Sequence, residues 1–508
     1  MLSDALIIND KKVDDIYIER GFKIPSFNYA LEVEEVPGRT GGVLKDRKIG
    51  PLEFEIPLIV RNDTHTNRNG QKNHDDIIND LVKRVDSDKP IKLQFESQNW
   101  YWNAYITGPF ELDKDVGMQA ELTLKVTLLD PYKYAVEGTK NTAISDQVSV
   151  VSTGTADSPI IVQATALKDS PNFAIFKGVN NQATDYFMIG KSEDANKVNK
   201  DLEPFIFNDE FNTTGLRNWA YLPNTSFGNL LDGGDAEGGR LGLSDLKESI
   251  YPTTWGTNST TNWHGAGIYK SMGKSLTDFR IRLKVIVRQH AGIGPGKAFT
   301  YILDENNRIM FSIGYVNTSV NKNNGMVVAY AYNEHGEARR IYTKETLFKH
   351  HRINNMHVFM YLERKGNQIK LTSFKYNIDN DEERKIPLDK DVKILNDSGN
   401  FYQRPARLAR MYIGKSAKYD RYLSCNILGC SLTELLPKQS DVTPIIIRKG
   451  DLITIDTGAK IVKINDEDAL SLKDFGSDYF NIEAGYNELI ISPPNTFDTV
   501  VKWQDRFL

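Results

Sequence analysis

The stretch FRIRLKVIVR, residues 279–288, alternates between apolar and basic side chains. Apolar residues occupy the odd positions and basic residues the even ones, with Ile286 as the exception. Successive side chains of a β-strand point to opposite faces, so this pattern is typical of an antiparallel strand with one face in a core. The stretches MHVFMYLER, VVAYAY and IMFSIGY alternate similarly. The sequence therefore predicts a mainly β protein.

One segment has a helical period instead. In NHDDIINDLVKRV, residues 73–85, apolar residues recur at helical spacing and two basic residues lie near the end. Asn73 is the predicted N-cap, and Asp75 and Asp76 fall in the first turn, where acidic side chains complement the helix dipole. We expect this helix to be one of very few.

Composition limits the classes of function. Among 508 residues, 40% are hydrophobic and 26% are charged, with a net charge of −4. These values are those of a globular chain, and they provide no general basic field to attract nucleic acid or an anionic membrane. No apolar run approaches the length of a membrane span, and the start lacks the pattern of a secretory signal. Synthesis and assembly in a cytoplasm are expected.

The two cysteines, Cys425 and Cys430, are five residues apart, an odd spacing that puts them on opposite faces of a single strand. We expect two buried thiols without a disulfide.

Polar stretches at 136–147 and 190–204 indicate boundaries. The predicted domains are 1–136, then 137–203 together with 438–508, and 204–437. A linear series of three domains stays open as an alternative. Insertion is favoured because the strands of the last 70 or so residues would form a thin core alone.

Several apparent motifs fail on spacing. GIYKSMGKS and AGIGPGKA lack the count of a phosphate loop, and the second is predicted to be a hairpin connection. NIDNDEER lacks the glycine of a calcium loop and is predicted to be a solvated hairpin tip. His350, His351 and His357 are too loosely spaced to predict zinc. No nucleophile motif and no E-x-D-x-x-E pattern occurs, so we predict no catalytic residue, no metal site and no cofactor.

Aromatic residues are the remaining candidates for function. Sugars stack their C–H faces on aromatic rings, and tryptophan and tyrosine provide much contact area at low entropy cost. Trp255 and Trp263 lie in YPTTWGTNSTTNWHG, whose composition is that of a loop. Core packing is the alternative for each ring. The candidate carbohydrate-binding residues are Trp219, Tyr221, Trp255, Trp263, Tyr315, Tyr330 and Tyr332.

Both ends of the chain resemble one family. RGFKIPSFNYALEVEEVPGRTGG, the helix with its following strands, and LTLKVTLLDPYKYA resemble the opening of siphophage distal tail proteins. The segment that starts GDLITIDTG and the closing VVKWQDRFL resemble that family's second domain. Between them, FIFNDEFNTTGLRNW resembles the start of concanavalin-like lectin sandwiches, with Asp209, Glu210, Phe211 and Trp219 in the matching positions.

The resemblance implies a β-rich belt domain with one helix, a galectin-like β-sandwich, and an inserted concanavalin-like β-sandwich that binds carbohydrate. It implies a homohexameric ring at the tip of a phage tail, assembled in the host cytoplasm. The implied partners are other copies of the chain, the tail tube protein, a tail-associated hub protein, and host cell-wall polysaccharide or teichoic acid. Val501 and Trp503 would close the sheet of the second domain.

Two other functions stay open. The inserted sandwich is alternatively a wall-degrading glycosidase, although it lacks the carboxylate triplet of enzymatic relatives. The whole chain is alternatively a free-standing multidomain lectin, which would be monomeric.

Overall fold

A computed structural model describes residues 4–508 except 36, 39, 62–73, 109, 111–118, 180–181, 193, 195, 223–225, 228–229, 258–262 and 290–291. The chain divides into two compact units. The first unit comprises residues 1–194 and 445–508, and the second, called the module, comprises residues 195–444.

The strands of the first unit before the module are β1 (Ala5–Ile8), β2 (Lys11–Ile18), β3 (Tyr29–Glu35), β4 (Gly42–Ile49), β5 (Leu52–Arg61), β6 (Ile91–Phe95), β7 (Trp100–Thr107), β8 (Gln119–Leu128), β9 (Lys133–Ala135), β10 (Thr139–Thr142), β11 (Gln147–Ser152), β12 (Ile160–Ala166), β13 (Asn172–Val179) and β14 (Gln182–Gly190). The module contains β15 (Val198–Lys200), β16 (Phe205–Glu210), β17 (Ala220–Tyr221), β18 (Ser226–Phe227), β19 (Gly234–Asp235), β20 (Gly239–Leu243), β21 (Ile250–Trp255), β22 (Trp263–Leu276), β23 (Phe279–Arg288), β24 (Gly296–Asp304), β25 (Ile309–Asn317), β26 (Met326–Tyr332), β27 (Ala338–Glu345), β28 (Asn355–Lys365), β29 (Gln368–Asn377), β30 (Leu388–Asn396), β31 (Ala406–Ser416), β32 (Ser424–Glu434) and β33 (Val442–Pro444). The first unit resumes with β34 (Leu452–Asp456), β35 (Ile461–Ile464), β36 (Glu467–Asp468), β37 (Gly485–Ser492), β38 (Phe497–Trp503) and β39 (Arg506–Phe507).

The prediction of a mainly β protein is confirmed. Among the described residues there is one α-helix, α1 (His74–Val85), and two short 3-10 helices, Phe348–His350 and Leu470–Leu472. Helix α1 is the predicted one, with Lys83 and Arg84 in its last turn. The predicted N-cap, Asn73, lies outside the described residues. No helix in the described part of the chain is long and apolar enough to cross a membrane.

The N-terminal part of the first unit is a closed barrel. Strands β1, β2, β5, β8, β7 and β6 pair in a ring, so none of these six strands presents a free edge. Helix α1 contributes Ile77, Leu81 and Val85 to the core of the barrel. The apolar face of α1 thus packs against the sheet of the barrel.

Strands β3 and β4 form a separate two-stranded sheet, called the outer hairpin. Its exposed apolar residues include Leu31, Val33 and Leu44, which are 59%, 51% and 55% exposed. An isolated two-stranded hairpin is marginally stable in water. The outer hairpin therefore exposes apolar surface that a packed sheet would bury.

The rest of the first unit is a sandwich built from both ends of the sequence. One sheet has the order β10-β38-β12-β34-β35-β36 and the other the order β11-β37-β13-β14. Strand β38 is an interior strand, and Val501 and Trp503 lie in the core between the sheets. Strands before the module thus alternate with strands after it.

After Trp503 the chain leaves the sandwich and joins the barrel side. Arg506 and Phe507 of β39 pair with Tyr134 and Lys133 of β9, which in turn pairs with β7. The Arg506 guanidinium lies 5.1 Å from the centre of the Tyr134 ring. Asp505, almost fully buried, accepts hydrogen bonds from Ser152 and Thr153 of the sandwich. The closing QDRF therefore connects the barrel with the sandwich.

The module is a sandwich of two large sheets. One contains β20-β21-β32-β23-β28-β29-β30 with β16 also on β32, and the other contains β18-β19-β22-β31-β24-β25-β26-β27 with β17 on β22. The predicted core face of β23 is confirmed, since its alternate apolar residues lie in the core: Phe279, Ile281, Leu283, Val285 and Val287.

The cysteines correct one prediction. Both thiols are free and buried, as expected, but Cys425 and Cys430 lie in the same core rather than on opposite faces. The pairing of β32 with β23 shifts register between Ile427 and Gly429, so an extra residue changes the phase of the strand. Burial raises the pKa of both thiols.

Three other predicted segments can be assigned. NIDNDEER follows β29 and leads to β30, which pair with each other, so the predicted hairpin connection is confirmed. AGIGPGKA is not a hairpin connection, because β23 and β24 belong to different sheets. Within the predicted linker 190–204, residues 198–200 form β15, which pairs in parallel with β33.

Candidate functional site

Both faces of strand β24, in the nine-stranded sheet of the module, are buried. Alternate residues of β24 face opposite ways: Ala298 lies in the core of the sandwich, whereas Phe299 and Tyr301 lie in a second cluster on the outer face. This second cluster, called the outer layer, also contains Phe227, Trp263, Tyr330, Tyr332 and Tyr412. The module thus concentrates aromatic rings on one face of one sheet.

A short segment, residues 231–235, called the strap, is held on the outer layer by hydrogen bonds. Lys297 Nζ donates to the carbonyls of Leu231 and Gly233. Tyr301 Oη donates to the Asp232 carbonyl, and Tyr412 Oη donates to the Asp235 carbonyl at 3.0 Å. Three side chains of the sheet therefore satisfy backbone acceptors that the strap would otherwise bury without partners.

The Asp232 side chain is buried among hydroxyls. Its Oδ2 accepts hydrogen bonds from Tyr332, at 2.6 Å, and from Ser312. Its Oδ1 is buried and has no hydrogen-bond donor among the described residues. Natural proteins seldom leave such an oxygen unsatisfied, so this carboxylate has unused capacity to bind a donor.

Burial also sets the electrostatics of the outer layer. Desolvation lowers the pKa of Lys297 well below its ordinary value, although the Asp232 charge opposes the shift. Desolvation raises the pKa values of Tyr301 and Tyr412. The tyrosine hydroxyls consequently stay protonated and remain hydrogen-bond donors at neutral pH.

A second group of polar and aromatic side chains, called the rim cluster, consists of Trp255, His264, Lys415 and Tyr422. The Trp255 and Tyr422 rings meet edge to face, with centres 4.8 Å apart. Lys415 Nζ lies 5.4 Å from the centre of the Trp255 ring and 5.5 Å from that of Tyr422. Trp255, Tyr422 and Lys415 are all half-buried. The cluster thus presents aromatic surface beside a cation.

His264 lies beneath this surface. The centres of its ring and the Trp255 ring are 6.5 Å apart, and its Nδ1 is buried with no hydrogen-bond partner in the described part of the chain. Burial first, and then the Lys415 charge, lower the pKa of His264 below its ordinary value. The imidazole is therefore neutral at neutral pH.

The seven predicted carbohydrate-binding residues do not form one site. Trp219 and Tyr315 belong to the core of the sandwich, where Trp219 donates to Asp209 and Tyr315 to Asn323. A ring buried on both faces cannot stack on a sugar, so these two predictions are corrected. Asp209 also accepts a bond from Lys270, in agreement with a structural role for the start of the module.

Three more predicted rings lie in the outer layer. Trp263, Tyr330 and Tyr332 are 8%, 3% and 9% exposed, so they offer little ring surface. Tyr221 and Trp255 present more of their rings, and both lie beside β20. Tyr221 donates to the Leu241 carbonyl of β20, and Trp255 pairs with Gly239 of the same strand. These two remain candidate binding residues.

Several residues of these clusters were not predicted from the sequence: Asp232, His264, Lys297, Tyr301, Lys415 and Tyr422. The available signal was the sequence of β24, GKAFTYILD, because apolar residues occupy both faces of that strand. The three histidines considered for zinc each contact different residues. His350 contacts Asp389, His351 contacts the Thr346 carbonyl, and His357 lies on the outer side of β28.

Two family models match the ends of the sequence. Residues 11–127 match the phage tail protein RIFT-related domain, and residues 441–507 match the C-terminal domain of the siphovirus-type tail component. Both ends of the chain are thus similar to domains of phage tail proteins. The predicted resemblance to siphophage distal tail proteins is confirmed by these two matches.

Solved structures show weaker similarity. The Dit protein of phage SPP1, described as a paradigm of the hub adsorption apparatus in phages that infect Gram-positive bacteria, is 14% identical, with 37% of this chain and 74% of that chain covered and a TM-score of 0.31. The CBM2 module of the evolved Dit of Lactobacillus casei BL23 phage J-1 is 15% identical, with coverage of 47% and 99% and a TM-score of 0.37. An alginate lyase from Klebsiella pneumoniae is 11% identical, with coverage of 44% and 96% and a TM-score of 0.29. No curated protein sequence matches the chain. The similarity of this chain to phage tail proteins therefore rests on the two family models.

Proposed function

We propose that the chain is a distal tail protein, a structural subunit of the ring at the tip of a phage tail. We further propose that its module binds host cell-wall polysaccharide or teichoic acid during adsorption. One observation carries this proposal: the two tail-protein matches lie almost entirely in one compact unit, and residues 195–444 form a second unit with its own core. In the virion, the first unit would contact its own copies, the tail tube protein and a tail-associated hub protein, after assembly in the host cytoplasm.

The outer hairpin supports assembly into a ring. Leu31 and Val33 lie on the same face of β3, and Leu44 pairs with Val33 across the hairpin. Burying such apolar side chains stabilises an interface by roughly 1.5–3 kcal/mol each. The neighbouring copy in a closed ring is a partner that would cover this face in every subunit.

We expect the double substitution Leu31→Asp and Leu44→Asp to convert hexamers into smaller species, because it puts charge into the proposed interface. Native mass spectrometry of the full chain measures the result. The matched control is Val392→Asp with Ile394→Asp, which charges two aliphatic side chains of β30 that are 50% and 54% exposed. A monomeric wild-type chain would contradict the ring and favour a free-standing lectin.

The rim cluster supports carbohydrate binding. Its half-exposed indole offers a face for the C–H groups of a sugar, while the neighbouring ammonium offers hydrogen bonds to hydroxyls. Six such sites on one ring would bind a wall polymer with high avidity even if each site were weak.

The sequence has no E-x-D-x-x-E carboxylate pattern, so we propose binding without cleavage. Shortening of purified wall polymer by the protein would contradict that part.

We expect Trp255→Ala to weaken binding of purified wall polymer about tenfold, since stacked aromatic rings are typical binding hot spots. Surface plasmon resonance with the full chain measures the affinity. Tyr419→Ala, which removes a 44% exposed ring from the same module, is the control and should leave affinity unchanged. Trp263→Ala should instead lower stability, because this ring is buried. Unchanged affinity of the Trp255 variant would refute the rim cluster as the site.

A further inference from the structure

Arg410 is a half-buried cation of the module. It lies on β31, and its guanidinium carbon is 5.0 Å from the centre of the Phe227 ring. Its Nε is buried, and no described residue accepts a hydrogen bond from the guanidinium or forms an ion pair with it. Burial lowers the pKa of Arg410. A stable fold gains nothing from desolvating this charge without a partner.

Other arginines of the module differ in this respect. Arg364, which is fully buried, donates to the carbonyls of Thr277, Tyr402 and Arg404. Arg404 donates to Asp304 and to three carbonyls. Arg404 Nε also lacks a partner among the described residues, but the terminal nitrogens of both guanidiniums have acceptors. The missing acceptor therefore distinguishes Arg410 from arginines that only hold the fold together.

Arg410 belongs to a polar row that crosses the sheet, and Tyr269 of β22 pairs with it on the side away from β24. Along β31, β24, β25, β26 and β27 the paired residues are Arg410, Tyr301, Ser312, Tyr330 and Arg340. Adjacent strands are separated by about 4.8 Å, so the two arginines are roughly 19 Å apart across the sheet. Arg340 is exposed and its Nε donates to Tyr330 Oη at 3.2 Å. Two cations thus belong to one row of hydroxyl-bearing residues.

We infer that Arg410 binds an anionic group, a phosphate or a carboxylate, on the polymer that the module recognises. The inference rests on the proposed carbohydrate-binding function and names the class of ligand. A guanidinium matches the two oxygens of a carboxylate or phosphate with two parallel hydrogen bonds, and its planar fork is suited to this geometry. The ring of Phe227 packed against the guanidinium keeps that fork in one orientation.

The test uses the full chain and three wall polymers: a teichoic acid with phosphates, a uronic acid polymer with carboxylates, and a neutral polysaccharide. Isothermal titration calorimetry gives affinities for the wild type and for Arg410→Gln, Arg410→Lys and the control Arg339→Ala. Arg339 is an exposed arginine of the same sheet, so its loss changes net charge equally.

We expect Arg410→Gln to weaken binding of an anionic polymer about tenfold, as for the loss of a charge-assisted hydrogen bond. The lysine variant should recover only part of the affinity, and Arg339→Ala should have no such effect. The thermal midpoint of Arg410→Gln should stay unchanged or rise, because sites built for ligands often cost stability. The polymer whose affinity depends on Arg410 identifies the anion as phosphate or carboxylate.

Wild-type affinity of Arg410→Gln for both anionic polymers would overturn the inference, and so would a lower thermal midpoint, which indicates a structural role. If Trp255→Ala abolishes binding while Arg410→Gln does not, the proposed function stands without the anionic subsite. Failure of the wild type to bind any of the three polymers would overturn both the proposed carbohydrate-binding function and the anionic subsite.

Discussion

A chain in which a short glycine–serine linker replaces residues 195–444 is expected to fold, to assemble as the full chain does, and to lose adhesion to host cells. The first unit has its own barrel and sandwich cores, and no strand of the module belongs to either. Removal of the proposed binding module from all six subunits leaves no avidity, so the expected loss of adhesion is complete.

The ends that the linker must join lie close together. The Lys191 amide donates to the Pro171 carbonyl, and the Ile447 amide donates to the Ser170 carbonyl, so both ends contact neighbouring residues. In the module, β15 pairs with β33, which also places entry and exit side by side. A flexible linker of about six residues spans roughly 13 Å, which is sufficient for such a junction.

Native mass spectrometry and pull-down with host cells measure the two halves of this prediction. The full chain with Trp255→Ala is the control. This variant should keep both units and assemble normally, but bind host cells weakly. Aggregation of the shortened chain would show that the first unit needs the module to fold. Undiminished adhesion would place the binding site in the first unit.

The second large effect is expected from Asp389→Asn, which removes a buried charge inside the module. Asp389 Oδ2 is 3.0 Å from Lys375 Nζ, and both side chains are almost completely buried. His350 Nδ1 is 2.9 Å from the other oxygen. Removing one partner of a buried pair strands the other charge, so we expect a loss of about 3–5 kcal/mol in the free energy of unfolding. Asparagine tolerates the left-handed backbone of position 389, where φ is 49°.

Denaturant unfolding of the full chain, monitored through the transition of the module, measures this loss. The control is Asp391→Asn on the same strand, whose carboxylate is 37% exposed and 3.7 Å from Lys344. An exposed pair contributes only about 0–1 kcal/mol. Removing both charges, with Lys375→Met and Asp389→Asn, should recover part of the stability, because no buried charge is then left unpaired. Equal effects of the two single variants would contradict the account.

The pair also predicts a pH dependence. Burial raises the pKa of Asp389, but the charges of Lys375 and His350 outweigh burial and hold it below the ordinary aspartate value. A carboxyl whose pKa is lower in the folded state than in the unfolded state stabilises the fold at pH values above the unfolded-state pKa. This stabilisation is lost as the pH falls through the folded-state pKa. Asp389→Asn should therefore remove part of the acid sensitivity of the module.

The sequence was sufficient to predict the strands that bury one face. Residues 279–288 and helix α1 were predicted because local periodicity determines which side of each element is apolar. The same reasoning failed for Cys425 and Cys430, since the register shift near Leu428 depends on pairing with a distant strand. A one-residue change of phase moves every later side chain to the other face.

The candidate site was predicted only in part for a related reason. Trp255 was identified from its loop-like surroundings, and the structure leaves that ring half-exposed. Tyr315 and Tyr330 carry the same local signal as a surface aromatic, yet one faces the core and the other the outer layer. Whether a second layer covers a sheet depends on long-range packing of the strap, which no local pattern encodes.

The crossing of β39 from the sandwich to the barrel side has a consequence for synthesis on the ribosome. Lys133 Nζ donates to the Leu508 carbonyl, 375 residues further along the chain. The barrel can close soon after its strands emerge, whereas β10 and β12 must wait for β38 until the entire module has been translated. At typical bacterial elongation rates this delay is on the order of ten seconds or more. During that time, early folding of the module shortens the gap that the waiting strands must bridge, so a module that folds slowly would expose nascent chains to aggregation and proteolysis.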